Sequence, residues 1–254
     1  MNESAFTLHF NFKPSYEGFV GIEREFFLLK NSQYAPDVTH VKNKINMKYG
    51  SFENELSACQ GETTTPPCHI KEISSVLRAQ QHDLEQQLCS LGYETLYTPL
   101  AGKNLPLDVS PLERYENMQK NIPLETLHKM ERVAATHVHI GMKNYQQALR
   151  VYNKLCTRIE QLSDLSFAVS KTKQRIKTYK EVAQHWKPEP FSGITSHLRD
   201  AQQKGYLDDL GNCHALIRIS KYGTVEVRVF DTVQSPDDVY TFAKAVYDIS
   251  RNVM

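Results

Sequence analysis

Cysteine is sparse and never doubled in this chain. Cys59, Cys68, Cys89, Cys156 and Cys213 are scattered, odd in number and without a Cys-x-x-Cys pair. That argues against a disulfide frame and a zinc knuckle, and for free thiols in a reducing compartment. An excess of one charge is missing too. Thirty Lys and Arg stand against 29 Asp and Glu, a net +1, which gives no bulk attraction to nucleic acid or to an anionic membrane. No apolar run approaches the length that spans a bilayer. Residues 1–13 lack a basic segment followed by an apolar one, so no signal peptide is expected. There is no repeat, no low-complexity tract and no evident linker. These absences lead to a cytoplasmic protein without nucleic-acid or membrane partners. What is present, 40% hydrophobic and 23% charged residues, suits one α+β domain over 1–254 with a substantial core.

The periodicities place the elements. Residues 19–29 read as a strand, 31–50 as a loop or short hairpin, and 52–65 as alternating strand closed by Pro66-Pro67. A helix is expected over 70–91, stopped by Gly92. A short strand covers 94–100. Ser110-Pro111 opens a helix interrupted at Pro123. A strand over 134–142 is followed by one long helix from Asn144 to about residue 170. Four lysines and Arg175 between 171 and 180 read first as a solvated helix face, with a phosphate grip as the rival. Ser196 is expected to cap a helix ended by Gly205. Strands at 214–220 and 224–230 flank the hairpin Lys221-Tyr222-Gly223, and Ser235-Pro236 starts the final helix.

The strands share one peculiarity. Strand side chains alternate between faces. Glu23 and Glu25 therefore point one way, with Ile22 and Phe26 opposite. Taken alone, such a pair is more often a solvated face than a site. Yet His137 and His139 share a face opposite Val138, Ile140 and Met142. Glu226 and Arg228 share a face opposite Val225, Val227 and Val229. Arg218 lies between Ile217 and Ile219. One face of the sheet thus collects acids, histidines and arginines instead of Thr, Lys, Ser and Gln. Carboxylates with imidazole suit Mg²⁺ or Mn²⁺, and forked guanidinium donors suit phosphate. Together they describe a metal–nucleotide site.

The same residues carry a resemblance. Gly21-Ile-Glu-Arg-Glu-Phe26 resembles the opening motif of the glutamate–cysteine ligase type 2 and carboxylate–amine ligase family, within the glutamine synthetase superfamily. Residues 53–66, His137-Val-His-Ile-Gly141, Arg218-Ile-Ser220 and Thr224-Val-Glu-Val-Arg-Val-Phe-Asp231 resemble its later motifs, in the same order. The resemblance implies an α+β fold with a curved antiparallel sheet forming a funnel and helices on its outer face. It implies two or three Mg²⁺ or Mn²⁺ ions on Glu23, Glu25, Glu55, Glu62, His137 and Glu226, with Glu53 a rival for the place of Glu55. It implies ATP phosphates on His139, Arg218 and Arg228, with Arg228 and Glu226 catalytic. Ala215 and Leu216 depart from the family, where a tryptophan and an acid often stand.

The function so implied is ATP-dependent amide formation between a small carboxylate, with glutamate the first candidate, and a small amine. The route is an acyl phosphate. Two rivals stand beside it: a metal-dependent hydrolase that needs no nucleotide, and a non-catalytic nucleotide binder of the same fold. Exposed sheet edges leave room for a homodimer.

Overall fold

A computed structural model describes residues 2–254. Eight strands form one sheet: β1 (Val20–Lys30), β2 (Gln33–Tyr34), β3 (Ser51–Asn54), β4 (Gln60–Thr64), β5 (Glu94–Leu96), β6 (Ala135–Gly141), β7 (Ile217–Ile219) and β8 (Thr224–Asp231). The described residues also form ten α-helices, α1 (Glu3–Thr7), α2 (Val38–Lys42), α3 (Ile73–Ser90), α4 (Glu113–Asn121), α5 (Leu124–Met130), α6 (Tyr145–Cys156), α7 (Ile159–Ser170), α8 (Gln174–Val182), α9 (Ile194–Gln203) and α10 (Pro236–Arg251), and two short 3-10 turns at Pro14–Tyr16 and Leu210–Asn212. The α+β assignment holds, and the sheet is curved and antiparallel throughout, in the order β3-β4-β1-β6-β8-β7. No helix among the described residues is long and apolar enough to cross a membrane.

β1 is the hub. On one side Glu23–Phe27 pair with β4, and Leu29 and Lys30 turn back on β2. On the other side Val20–Arg24 pair with β6, after which the ladder switches and Phe27–Leu29 pair with β5. Glu25 stands at that switch. The apolar face carries Val20, Ile22, Val138, Ile140, Val225, Val227 and Phe230 into a core shared with α3, α6 and α10. Its helical members recur at three- and four-residue spacing, as Ala148, Val151, Tyr152 and Leu155 on α6, and Val239, Phe242, Ala243 and Val246 on α10. Ser235 caps α10 by accepting from the Asp238 amide, with Pro236 in the first turn.

Four local expectations change. The stretch 31–50 also holds α2, whose Val38 and Val41 enter a second core under β3. The expected long helix is two helices. α6 closes where the Thr157 hydroxyl bonds back to the Lys154 carbonyl at 2.7 Å, diverting a backbone acceptor from the next turn. Ser196 caps α9 from inside its first turn, accepting from the Gly193 amide at 3.1 Å, so the helix starts at Ile194. The alternation of β8 is broken by a bulge. Thr136 faces Phe230 while Val138 faces Val227, so Arg228 and Val229 stand together opposite His137. One extra residue reverses the faces beyond it. Phe230 thereby reaches the apolar side and stacks on Phe242 at 4.4 Å.

Candidate active site

Cross-strand register assembles the site. Glu23 is paired with His137 across β1 and β6, His139 with Glu226 across β6 and β8, and Arg218 with Glu226 across β7 and β8. Glu25 is paired with Glu62 across β1 and β4. Because directly opposed residues share a face, two adjacent rows meet on it, Glu23–His137 and His139–Glu226–Arg218.

Glu226 is fully buried between two arginines. Arg218 Nε donates to its Oε2 at 2.6 Å, and Arg228 Nη1 to its Oε1. Arg218 Nη1 is further tied to the carbonyls of Gly211 and Cys213 at 3.0 and 3.1 Å. Burial alone would raise the Glu226 carboxyl, but Arg218 and Arg228 outweigh it and hold it far below the usual carboxylate range. Arg228 Nε is buried without an acceptor. Both arginines line a cavity of about 560 Å³, together with Glu25, Glu55 and His137.

The histidines bridge the acids. His137 Nδ1 lies 2.9 Å from Glu23 Oε2, and its Nε2 lies 3.6 Å from Glu25 Oε1. His139 Nε2 is 3.2 Å from Glu23 Oε1 without hydrogen-bond alignment, so this buried nitrogen has no true partner. Its Nδ1 meets Thr224 Oγ1 at 2.9 Å. Burial and then Arg228 push His137 down to about 4. Burial also disfavours charge on His139, but Glu23 and Glu226 prevail and raise it.

The remaining acids make no ion pair with a lysine or arginine, and Arg228 offsets their burial only in part. Glu25 is pushed up to about 8 by burial and by Glu55. Its Oε2 accepts from the Ala135 amide at 2.7 Å and Gln60 Nε2 at 3.1 Å. Glu55 is raised by burial; the Leu56 amide at 3.2 Å and Tyr115 hydroxyl at 3.3 Å orient it. Glu62 lies well above the usual range, from burial and then from Glu23, Glu55 and Glu25. Such carboxylates must hold protons or cations. Three sets bring ligand atoms within 4.8 Å of one another: Glu23–His139–Glu226, Glu23–Glu62–His137 and Glu25–Glu55–Glu62. Oxygen-rich sets with one imidazole or none fit Mg²⁺ or Mn²⁺, and the unpartnered His139 Nε2 suits a ligand atom.

Glu23, Glu25, Glu55, Glu62, His137, His139, Arg218, Glu226 and Arg228, all singled out in the sequence, therefore lie together. Glu53 does not. It opposes Glu62 across β3 and β4, but its half-exposed carboxylate pairs with Lys42. His139 stands in a possible ligand set, where the resemblance had assigned it to phosphates. Gln60, Tyr115 and Thr224 are the orienting residues that sequence reasoning missed. Gln60, two residues before Glu62 on the same strand, was detectable by alternation; Tyr115, on α4, carried no such signal.

A second cavity of about 270 Å³ reaches the row from the other end of the strands. Its walls include Tyr16, Phe19, Tyr222 and Lys13, and its floor includes Glu23, His139 and Thr224. The carboxylate row thus separates two chambers.

The model of glutamate-cysteine ligase family 2 matches residues 19–170, more than half of the chain. The chain belongs to this family. No match to a curated protein was found. Among solved structures, the chain is similar to a bifunctional glutathione synthetase from Pasteurella multocida, with a TM-score of 0.56 and 12% identity. That likeness covers 99% of this chain and 40% of the other. It is also similar to glutamine synthetase of Plasmodium falciparum, with a TM-score of 0.50 and 11% identity over 94% of this chain and 52% of that one. At such identity the likeness establishes the glutamine synthetase-like fold. The chain spans only about half the length of these proteins or less. The family match ends at residue 170, before Arg218, Glu226 and Arg228, so the closing part of the site rests on its geometry.

Proposed function

We propose that this member of glutamate-cysteine ligase family 2 is an ATP-dependent ligase, working as a single catalytic domain, that joins a small carboxylate to a small amine. Membership of the family supports the ligase class. The observation that carries the reading further is the row of five carboxylates and two imidazoles between two chambers, flanked by Arg218 and Arg228.

In this reading the nucleotide enters the narrower chamber, where Tyr16, Phe19 and Tyr222 offer flat apolar surface, and the acid and amine enter the wider one. Glu23, Glu25, Glu55, Glu62, His137 and Glu226 would hold Mg²⁺ or Mn²⁺, and His139 would either complete that set or meet a phosphate. Metal bound there would supply charge neutralisation for the phosphates. A carboxylate oxygen of the acid attacks the γ-phosphorus, the bond to the ADP oxygen breaks, and an acyl phosphate forms. The amine nitrogen then attacks the acyl carbon, inorganic phosphate leaves, and the nitrogen loses its proton. The protein positions the two partners and supplies charge. Arg228, held by Glu226 on Nη1 and unpartnered at Nε, is the donor free to follow negative charge onto the moving phosphoryl group. Glutamate is the first acid to test and cysteine the first amine.

The test is ADP release from Mg²⁺–ATP across a panel of acids and amines, with product identified by mass. Glu23→Ala is expected to lower turnover by about 1,000-fold, the order found on deleting charge-stabilising groups. Full ATP-dependent ligation by this variant would remove the metal assignment. Turnover of an amide or ester without nucleotide would favour a hydrolase instead.

A further inference from the structure

We propose that Arg175, together with Asp231, is a positioning residue that sets the aim of Arg228; this inference rests on the ligase reading above. Arg175 belongs to the basic stretch at 171–180, but it is neither a solvated cation nor, in its bonding, a phosphate grip. It is 1% exposed, whereas the four lysines around it are exposed. From α8 it reaches under β8. Its Nε donates to Asp231 Oδ1 at 2.8 Å, and its Nη2 to the carbonyls of Arg228 at 3.2 Å and Val229 at 2.7 Å.

Those two carbonyls belong to the bulge. Bulged residues lose part of their ladder bonding and re-aim a side chain, so their carbonyls need other donors. Arg175 supplies them. Asp231 is fixed in turn: Ser170 Oγ donates to its Oδ2 at 2.7 Å, and its own amide donates to Ser166 Oγ at 2.9 Å. α7, α8 and β8 therefore converge on the backbone directly beneath Arg228. The alternative the clamp excludes is concrete. A bulge moved by one residue would present Val229 to the cavity in place of Arg228. Lysine cannot take over the role, because one ammonium cannot span a carboxylate and two carbonyls as a planar fork does.

Arg175→Lys, with Asp231→Asn as the milder second variant, tests this in wild-type and Arg228→Lys backgrounds. The readout is ADP release from Mg²⁺–ATP with glutamate and cysteine. In the wild-type background Arg175→Lys is expected to lower kcat about 100-fold, the cost of a misplacement near 1 Å, with the KM for ATP little changed. In the Arg228→Lys background the same change is expected to cost less than about 3-fold, because the two residues act as one unit. Equal losses in both backgrounds would assign Arg175 a general structural role and overturn the proposal, as would an unaltered kcat. A wild-type protein that releases no ADP would count against the ligase reading alone. The crystal structure of Arg175→Lys then decides the positioning claim: a folded protein in which Arg228 has left Glu226 supports it, and an unchanged Arg228–Glu226 contact overturns it.

Discussion

Arg24 and Glu25 are neighbours on β1, both buried, and they point to opposite sides of the sheet. The fold satisfies the guanidinium of Arg24 at both terminal nitrogens and leaves only its buried Nε without an acceptor. Its Nη1 donates to Gln81 Oε1 at 3.0 Å, its Nη2 donates to the carbonyls of Val233 and Gln234 at 2.8 and 3.3 Å, and it lies 4.3 Å over the Tyr97 ring. These are neutral acceptors that tie β1 to α3 and to the segment after β8. Glu25 also has two donors, yet burial and Glu55 hold it near 8, and Glu62 opposite it is worse placed. Buried charge whose protein partners suffice is architecture. Buried charge of one sign, repeated and left without counter-charge, is half of a binding site. The difference separates the two faces of one strand more sharply than composition does.

Three substitutions sharpen or break that contrast. The largest effect on stability is expected at Glu226, which has its counter-charges. Glu226→Gln leaves Arg218 and Arg228 buried side by side, and should cost about 3–5 kcal/mol in urea denaturation. A loss under about 1 kcal/mol would mean that the two arginines find other anions, and that Glu226 is no keystone. Next, Arg24→Met is expected to cost about 2 kcal/mol by removing charge-assisted hydrogen bonds to buried acceptors, while the affinity for Mg²⁺ measured by calorimetry stays as in wild type. A large change in Mg²⁺ binding would erase the distinction between the faces. The smallest effect has the opposite sign. Glu62→Gln removes a buried like charge, so the metal-free protein should be more stable by about 1 kcal/mol. Wild type should gain melting temperature on adding Mg²⁺ by mass action, and the variant should gain little. A destabilised metal-free variant would show that Glu62 is already satisfied by the protein.

Much of this site was legible because β-structure has a period of two. Glu23, Glu25, His137, His139, Glu226 and Arg228 could be sorted by face from the sequence, and Val138 and Val227 between the later pairs supported the sorting. The register between strands was not legible. That Glu23 meets His137 and Glu25 meets Glu62 depends on long-range pairing that no local pattern encodes. Glu53 and Glu55 share a parity, so alternation could not separate them; Lys42, on a helix read as loop, draws Glu53 away. The bulge was hidden for a related reason. Val229 and Phe230 are both apolar, so the exchange of faces between them leaves no trace in the hydrophobic pattern. The two arginine partners of Glu226 were hidden in the same way, since Arg218 reaches it from a neighbouring strand. Arg175 was misjudged because a basic run suggests solvent, while its one buried member was set by Asp231, far along the chain.

The alternation Glu23-Arg24-Glu25 also makes β1 intolerant of slippage in a way ordinary strands are not. Sliding it by a single residue would turn one cation into the cavity and press two anions into oil. The strand is braced against that error along both edges, by β4 on one side and by β6 and then β5 on the other. A one-residue deletion between Val20 and Phe27 would therefore withdraw two of the five carboxylates from the cavity, put a guanidinium in their place, and break all three ligand sets at once.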